Sequence, residues 1–263
     1  MALATAISRA MVVVLVCLGL FAEANHALAD PPTEAGFAAY AQQGFQEAQA
    51  HYRNAPDEVA AGWHFARACF DLAEFATNKT ERASLAEQGI AASQKAIASE
   101  PNLGAAHYYL GMNLGQLART RGLSALKLVS QMQRAFIRAR DLEEQLDWAG
   151  PDRNLGLLYR DAPSIASIGS RSKAREHLKR AVELGPRYPE NRLNLAETYL
   201  SWGEPKSAQS EFAALEAAWP SARTNFVGAA WAASWADWEP RLKKLKKKVE
   251  VPRKSIAPPR HQP

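Results

Sequence analysis

Arg153 and Arg160 are seven residues apart, two turns of an α-helix, so both side chains can point the same way with apolar Leu157 between them. Two guanidinium groups at that spacing suit a carboxylate ligand, held by charge-assisted and bidentate bonds. The competing reading is internal: Arg153 pairs with a neighbouring acidic residue, and Arg160 pairs with Asp161 or caps a helix end. Tyr108 and Met112, one turn apart, read either as core or as a ligand wall. Trp231, Trp235 and Trp238 fall at i, i+4 and i+7, one face of a helix. Part of that face must cover what precedes it. Three tryptophans exceed that need, and tryptophan is enriched at interfaces, so an apolar ligand groove or an oligomer contact stays open.

Nothing in the sequence suggests bond-making chemistry. The six histidines are scattered, without His-x-x-x-His or His-Glu-x-x-His, so no metal site is expected. No Gly-rich stretch has the Walker spacing, and no serine stands in Gly-x-Ser-x-Gly. Glu143, Glu144 and Asp147 read as helix-surface carboxylates. Cys69, inside the apolar "WHFARACFDLAEF", reads as a buried thiol. The expectation is a non-enzymatic protein without cofactor.

These residues must be positioned by helices. The chain has 263 residues, 47% of them hydrophobic, with alanine prominent and β-branched residues sparse after the first 20, which favours an all-α fold. Residues 1–29 read as a cleaved signal peptide, with a retained N-terminal anchor as the alternative. Arg9 gives the positive start, "MVVVLVCLGLF" the apolar run and Ala27-Leu28-Ala29 the cleavage site, leaving Asp30 as the mature N-terminus. The expected location is periplasmic or secreted. Cys17 leaves with the signal, and Cys69 alone cannot form an internal disulfide.

The formal charge of +5 belongs to one end of the chain. Residues 241–263 carry +8, the signal is neutral and the body, 30–240, is left at −3. The segment 241–263, with four prolines, reads as a basic, largely disordered tail. It serves solubility or touches an anionic membrane, cell-wall polymer or acidic partner. An acidic body on an exported chain argues against nucleic acid.

A repeat organises the body. In "NRLNLAETYLSWGEPKSAQSEFAALEAAWP", Leu195-Ala196 and Tyr199 mark a first helix and Gly203 a turn. Ala208 and Phe212 mark a second helix, and Pro220 closes the unit. These spacings match the tetratricopeptide repeat (TPR), a 34-residue helix–turn–helix. One period earlier Pro186 closes a unit with Leu155-Gly156, Tyr159, Ala174, Leu178 and Ala181. Two weaker units precede it, one around Leu110-Gly111 and one ending at Pro101, both read with longer connections inside the repeat. A helix at about 34–53 comes before the array, and "TNFVGAAWAASWADW" follows as a capping helix. The expected fold is an all-α solenoid of about four degenerate TPR units between N- and C-terminal helices.

The stretch "GPDRNLGLLYRDAPSIASIGSRSKAREHLKRAVELGPRYPENRLNLAETYL" resembles the T component of tripartite ATP-independent periplasmic (TRAP) transporters. Its Gly-Pro-Asp-Arg helix start, Leu-Gly pair and Ala-Pro…Ser-x-Gly loop carry the resemblance. That family implies an auxiliary periplasmic protein that docks on a substrate-binding protein, holds a small organic-acid or apolar ligand, and forms a homo-oligomer around a ligand channel. Repeat geometry implies that first helices line an inner groove, which selects His64, Ala68 and Asp71; Tyr108, Met112 and Gln116; Arg153, Leu157 and Arg160; Leu193, Glu197 and Leu200; Trp231 and Trp235. The alternative function is a general cell-envelope scaffold for protein partners.

The loop within the third unit is six residues longer than its counterpart in the fourth. Pro163 stops the helix, Gly169 is read as permitting a reversed backbone, and Ile165 and Ile168 call for burial. Either they fold back on their own repeat, or they cover one end of the groove or meet a partner subunit, a contact for which Trp238 is also a candidate.

Overall fold

A computed structural model describes residues 34–250 apart from 123, 165 and 166. Among the described residues there is no strand. The helices are α1 (Glu34–Asn54), α2 (Val59–Glu74), α3 (Lys79–Ser99), α4 (Gly104–Thr120) and α5 (Ala125–Leu142). There follow α6 (Leu146–Asp161), α7 (Arg171–Leu184), α8 (Pro189–Ser201), α9 (Pro205–Asn225), a 3-10 turn (Ala229–Trp231) and α10 (Ala232–Glu250). The pairs α2/α3, α4/α5, α6/α7 and α8/α9 are antiparallel hairpins stacked in chain order, with α1 before them and α10 after. This is the α-solenoid that the repeat register predicts. Successive first helices lie against one another along one side, which sets them on the inside of the stack.

Local chemistry sets the element ends. Asn78 accepts from Glu81 N at 2.9 Å while the Glu81 carboxylate accepts from Thr77 N at 2.9 Å, so one orphan donor of α3 and the N–H just before its cap are both satisfied. Pro189 and Pro205 occupy the first turns of α8 and α9, where their missing N–H costs nothing. Fully buried alanines, among them Ala66, Ala106, Ala174, Ala181, Ala196 and Ala208, let the helices approach closely. One core runs from Phe45 in α1 through Phe65, Tyr108 and Phe136 to Leu155 and Ala174. A second, more aromatic core joins Tyr188, Phe212, Phe226, Trp231, Trp238 and Leu245. Cys69 is wholly buried, and burial pushes its thiol well above the usual range, so it packs rather than reacts.

Three expectations change. The connections inside the first two units are only residues 75–78 and 121–124; the extra length lies in longer helices, 21 residues in α3 and 18 in α5. The tail does not begin at 241, because α10 continues to Glu250, with Leu245 buried and Arg241 bonded to α8. Residues 1–33, including the leader and its cleavage site, and residues 251–263 lie outside the described residues. In the 162–170 loop Gly169 keeps an ordinary φ, yet a Cβ there would stand 2.1 Å from Ala162 O. Close approach, not a reversed backbone, requires the glycine. Backbone bonds Ser170 N→Tyr159 O (2.9 Å) and Gly169 N→Pro163 O (3.0 Å) close the loop on itself. Ile168 packs onto the first core, within its own stack, whereas Ile165 lies outside the described residues.

Candidate functional site: a polar seam along the inner helices

Each first helix sends polar side chains to the next, and together they form a seam. At its centre is a buried knot. Asp147, Trp148 and Ala149 all adopt left-handed backbone angles (φ 53, 50 and 65°) before α6 resumes at Gly150-Pro151. For L-residues this costs roughly 1–2 kcal/mol each, so the turn must be held from outside. Arg153 Nη1 donates to Asp147 O (3.1 Å) and Trp148 O (3.4 Å), and Asn191 Nδ2 on α8 donates to Trp148 O (2.9 Å). The reversed turn sends two side chains to different destinations. The Trp148 ring stacks on Tyr188 (5.2 Å, 15°) and meets Phe226 and Trp231 edge-on in the second core. The Asp147 carboxylate enters the seam, where Oδ2 accepts from Tyr108 Oη on α4 (2.5 Å) and from Arg153 Nη2 (2.5 Å). Gly150 makes room: a Cβ there would be 2.5 Å from Tyr108 Oη and 2.7 Å from Asp147 Oδ2.

Burial pushes Asp147 up and the Arg153 charge opposes that, while burial, which would lower Arg153, is outweighed there by Asp147, Tyr108, Tyr188 and Glu190 acting together. Glu190, 1% exposed on α8, is pushed up to about 7 by burial against the pull of Arg153 and Arg241. Asp71 on α2 is likewise pushed up to about 7 by burial, against Arg67 at 3.5 Å.

On either side of the knot the rungs are half-accessible. Glu74 on α2 accepts from Gln116 and, at 3.0 Å, from Arg119, both on α4. Arg160 on α6 donates to Asp161 at 2.7 and 2.9 Å and to Thr198 Oγ1 on α8 at 3.1 Å. Arg241 on α10 donates to Glu197 (3.1 and 2.9 Å) and Asn194 Oδ1 (2.6 Å) on α8, and to Asp237 (2.7 Å) on its own helix. Each neighbouring pair of first helices is thus joined by charge-assisted bonds.

Several expected site residues are out of reach. Arg153, Tyr108 and Met112 are buried, and Leu157 is 4% exposed, because they form the knot and the packing around it. Arg153 therefore has no face for a ligand carboxylate. Arg160 keeps some access but is bonded to Asp161, the internal pairing open in the sequence. Trp238 and Trp231 lie inside the second core, where they secure α10 to Tyr188 and Phe226, so Trp238 presents no surface to a partner. Trp235 is half-buried, with Nε1 donating to Phe226 O (2.7 Å) and its ring under Arg223 (4.1 Å). Asp147 is no surface carboxylate. Glu190, Asn191 and Arg241 also belong to the seam without a signal in the sequence: the first two stand in no motif, and Arg241 opens the lysine run. The buried His177–Asp152 pair (2.7 Å) has Tyr159 stacked on it at 5.4 Å rather than a nucleophile. The apolar cavity lined by Met132, Phe136 and Leu157 has a volume of about 30 Å³, far below the several hundred typical of small-molecule pockets.

A protein-family model described as regulator of microtubule dynamics protein 1-3 matches residues 32–144, less than half of the chain. A comparison with curated proteins returns no match. Among solved structures the chain is similar to a thermophilic TPR protein of Thermus thermophilus. That similarity has a TM-score of 0.54 and 19% identity, and covers 82% of this chain and 97% of the other. The fold is that of a TPR-like helical repeat protein. The structural likeness shows the repeat fold, and neither match supports the TRAP T-component family.

Proposed function

We propose that the protein is a non-enzymatic scaffold that grips a polar segment of a partner protein along the seam, in the periplasm or outside the cell. The observation that carries this is the succession of half-accessible charged groups on consecutive first helices: Asp71, Glu74 with Arg119, Arg160 with Asp161, and Glu197 with Arg241. These groups keep part of their surface open to a partner, and alternating signs along the seam select that partner by charge register. Export is supported by residues 1–29. The narrower role, an auxiliary component docking on the substrate-binding protein of a TRAP-type system, is supported by the residue pattern of 150–200. Its ligand would need groups other than Arg153, which Asp147 occupies. The match over residues 32–144 favours a second reading, a scaffold concerned with microtubule dynamics.

Photo-crosslinking residues placed at His64, Asp71 and Glu197 on the inner side, and at Lys95 and Lys179 on the outer side, test the seam in cells. Crosslinks to one partner from the inner positions alone are expected, and self-crosslinks would make that partner a second copy. Equal capture from both sides would sink the proposal. Intact mass separates the settings: a chain starting at Asp30 supports export, whereas a chain retaining residues 1–29 that pellets with microtubules supports the second reading.

A further inference from the structure

The last two turns of α10 are two-faced. Leu242, Leu245 and Val249 close the second core. Lys243, Lys244, Lys247 and Lys248 are exposed, and because 243/247 and 244/248 are each one turn apart they form one continuous basic side. Among the described residues no carboxylate pairs with these four, whereas Lys246 is held by Glu216 (3.3 Å) and Glu250 (3.7 Å). The outer side of α10 thus differs from the inner seam, where cations have partners.

We infer that this lysine face docks on a bilayer rich in anionic lipid headgroups. One or two lysines would answer the negative end of the helix dipole. Here four occupy two turns, and the sequence continues through Arg253, Lys254 and Arg260 with no acid after Glu250. The residues are lysines, compact point charges without the fork that reads a single carboxylate or phosphodiester, which suits a diffuse anionic surface. No aromatic residue stands among 241–250, so the face has no stacking platform for nucleic-acid bases. Membrane-surface helices ordinarily insert an apolar face. In this protein the fold has already taken that face, so the contact is made by charge alone, shallow and sensitive to salt. This inference does not depend on what the seam binds.

The test is flotation of the full chain with vesicles of phosphatidylcholine alone or mixed with phosphatidylglycerol, at low and high salt. Four charges near an anionic surface correspond to a gain on the order of 100-fold or more in binding. Wild type is expected to float with the anionic vesicles at low salt and to lose that preference at high salt. Replacing Lys243, Lys244, Lys247 and Lys248 with Gln should abolish most of the preference. A control replacing Lys79, Lys127, Lys179 and Lys206 with Gln removes the same charge elsewhere and should keep it. Equal losses in both variants, binding that ignores salt, or tight binding to soluble poly-glutamate without binding to anionic vesicles would each overturn the inference. Far-ultraviolet circular dichroism of both variants confirms that α10 has stayed folded.

Discussion

Arg153–Asp147 and Arg175–Glu204 are the same chemistry in two settings. Each joins a guanidinium to a carboxylate with an aromatic ring beneath the cation, Tyr188 at 5.0 Å in the first and Trp202 at 5.2 Å in the second. By hydrogen bonds alone the outer pair is the better one. Arg175 grips Glu204 through two bonds of 2.8 and 2.7 Å, and Arg171 adds another at 2.5 Å. These bonds, Arg175's first, hold Glu204 down to about 2. Yet the side chains of the outer pair are 37% and 25% exposed, those of the inner pair 0% and 2%. Water can replace every bond of the outer pair and none of the inner. Burial, not bond geometry, therefore decides what each pair is worth.

The largest effect tests the inner pair. Arg153→Met leaves Asp147 charged or forcibly protonated inside the stack and releases the left-handed turn, so urea unfolding should show a loss of about 3–5 kcal/mol. Adding Asp147→Asn should recover part of that loss, because the stranded charge is removed. A single variant as stable as wild type would break the comparison.

A middle effect comes from Glu190. Its folded-state value, about 7, lies above the ordinary 4.5, so across that interval the folded state holds a proton that the unfolded state has lost. Stability should then fall as pH rises from about 4.5 to 7 and level off above, by up to about 1.4 kcal/mol per pH unit. Asp71 adds a slope of the same sign. Glu190→Gln should flatten the Glu190 part of a stability profile measured from pH 4.5 to 8. An unchanged slope would show that Glu190 is not the group responsible.

The smallest effect belongs outside. Glu204→Gln should leave Tm within experimental error at physiological salt, with a small drop only at low ionic strength. A loss comparable to that of Arg153→Met would mean that the outer pair carries structure.

The array was legible because a TPR register is written in residue size. Leu-Gly and Leu-Ala pairs, a tyrosine three residues on and alanines at fixed intervals recur, and only close-packed helices use small residues that way. The knot was not legible. Asp147, Trp148 and Ala149 are ordinary L-residues in a helical context, and nothing in their identities announces three left-handed angles; the turn exists because Arg153 and Asn191 collect its carbonyls. Arg160 carried both readings in sequence, ligand or Asp161, and distance settled which bond it makes.

By itself the sequence determined helical class, repeat period and the basic end of the chain, since these follow from periodicity and composition, which are local. Tertiary structure alone decided which charges are buried, that Arg241 belongs to the seam rather than the tail, and that Trp238 is core rather than contact. Those outcomes depend on which side chains from distant repeats meet, and on how much water is left between them.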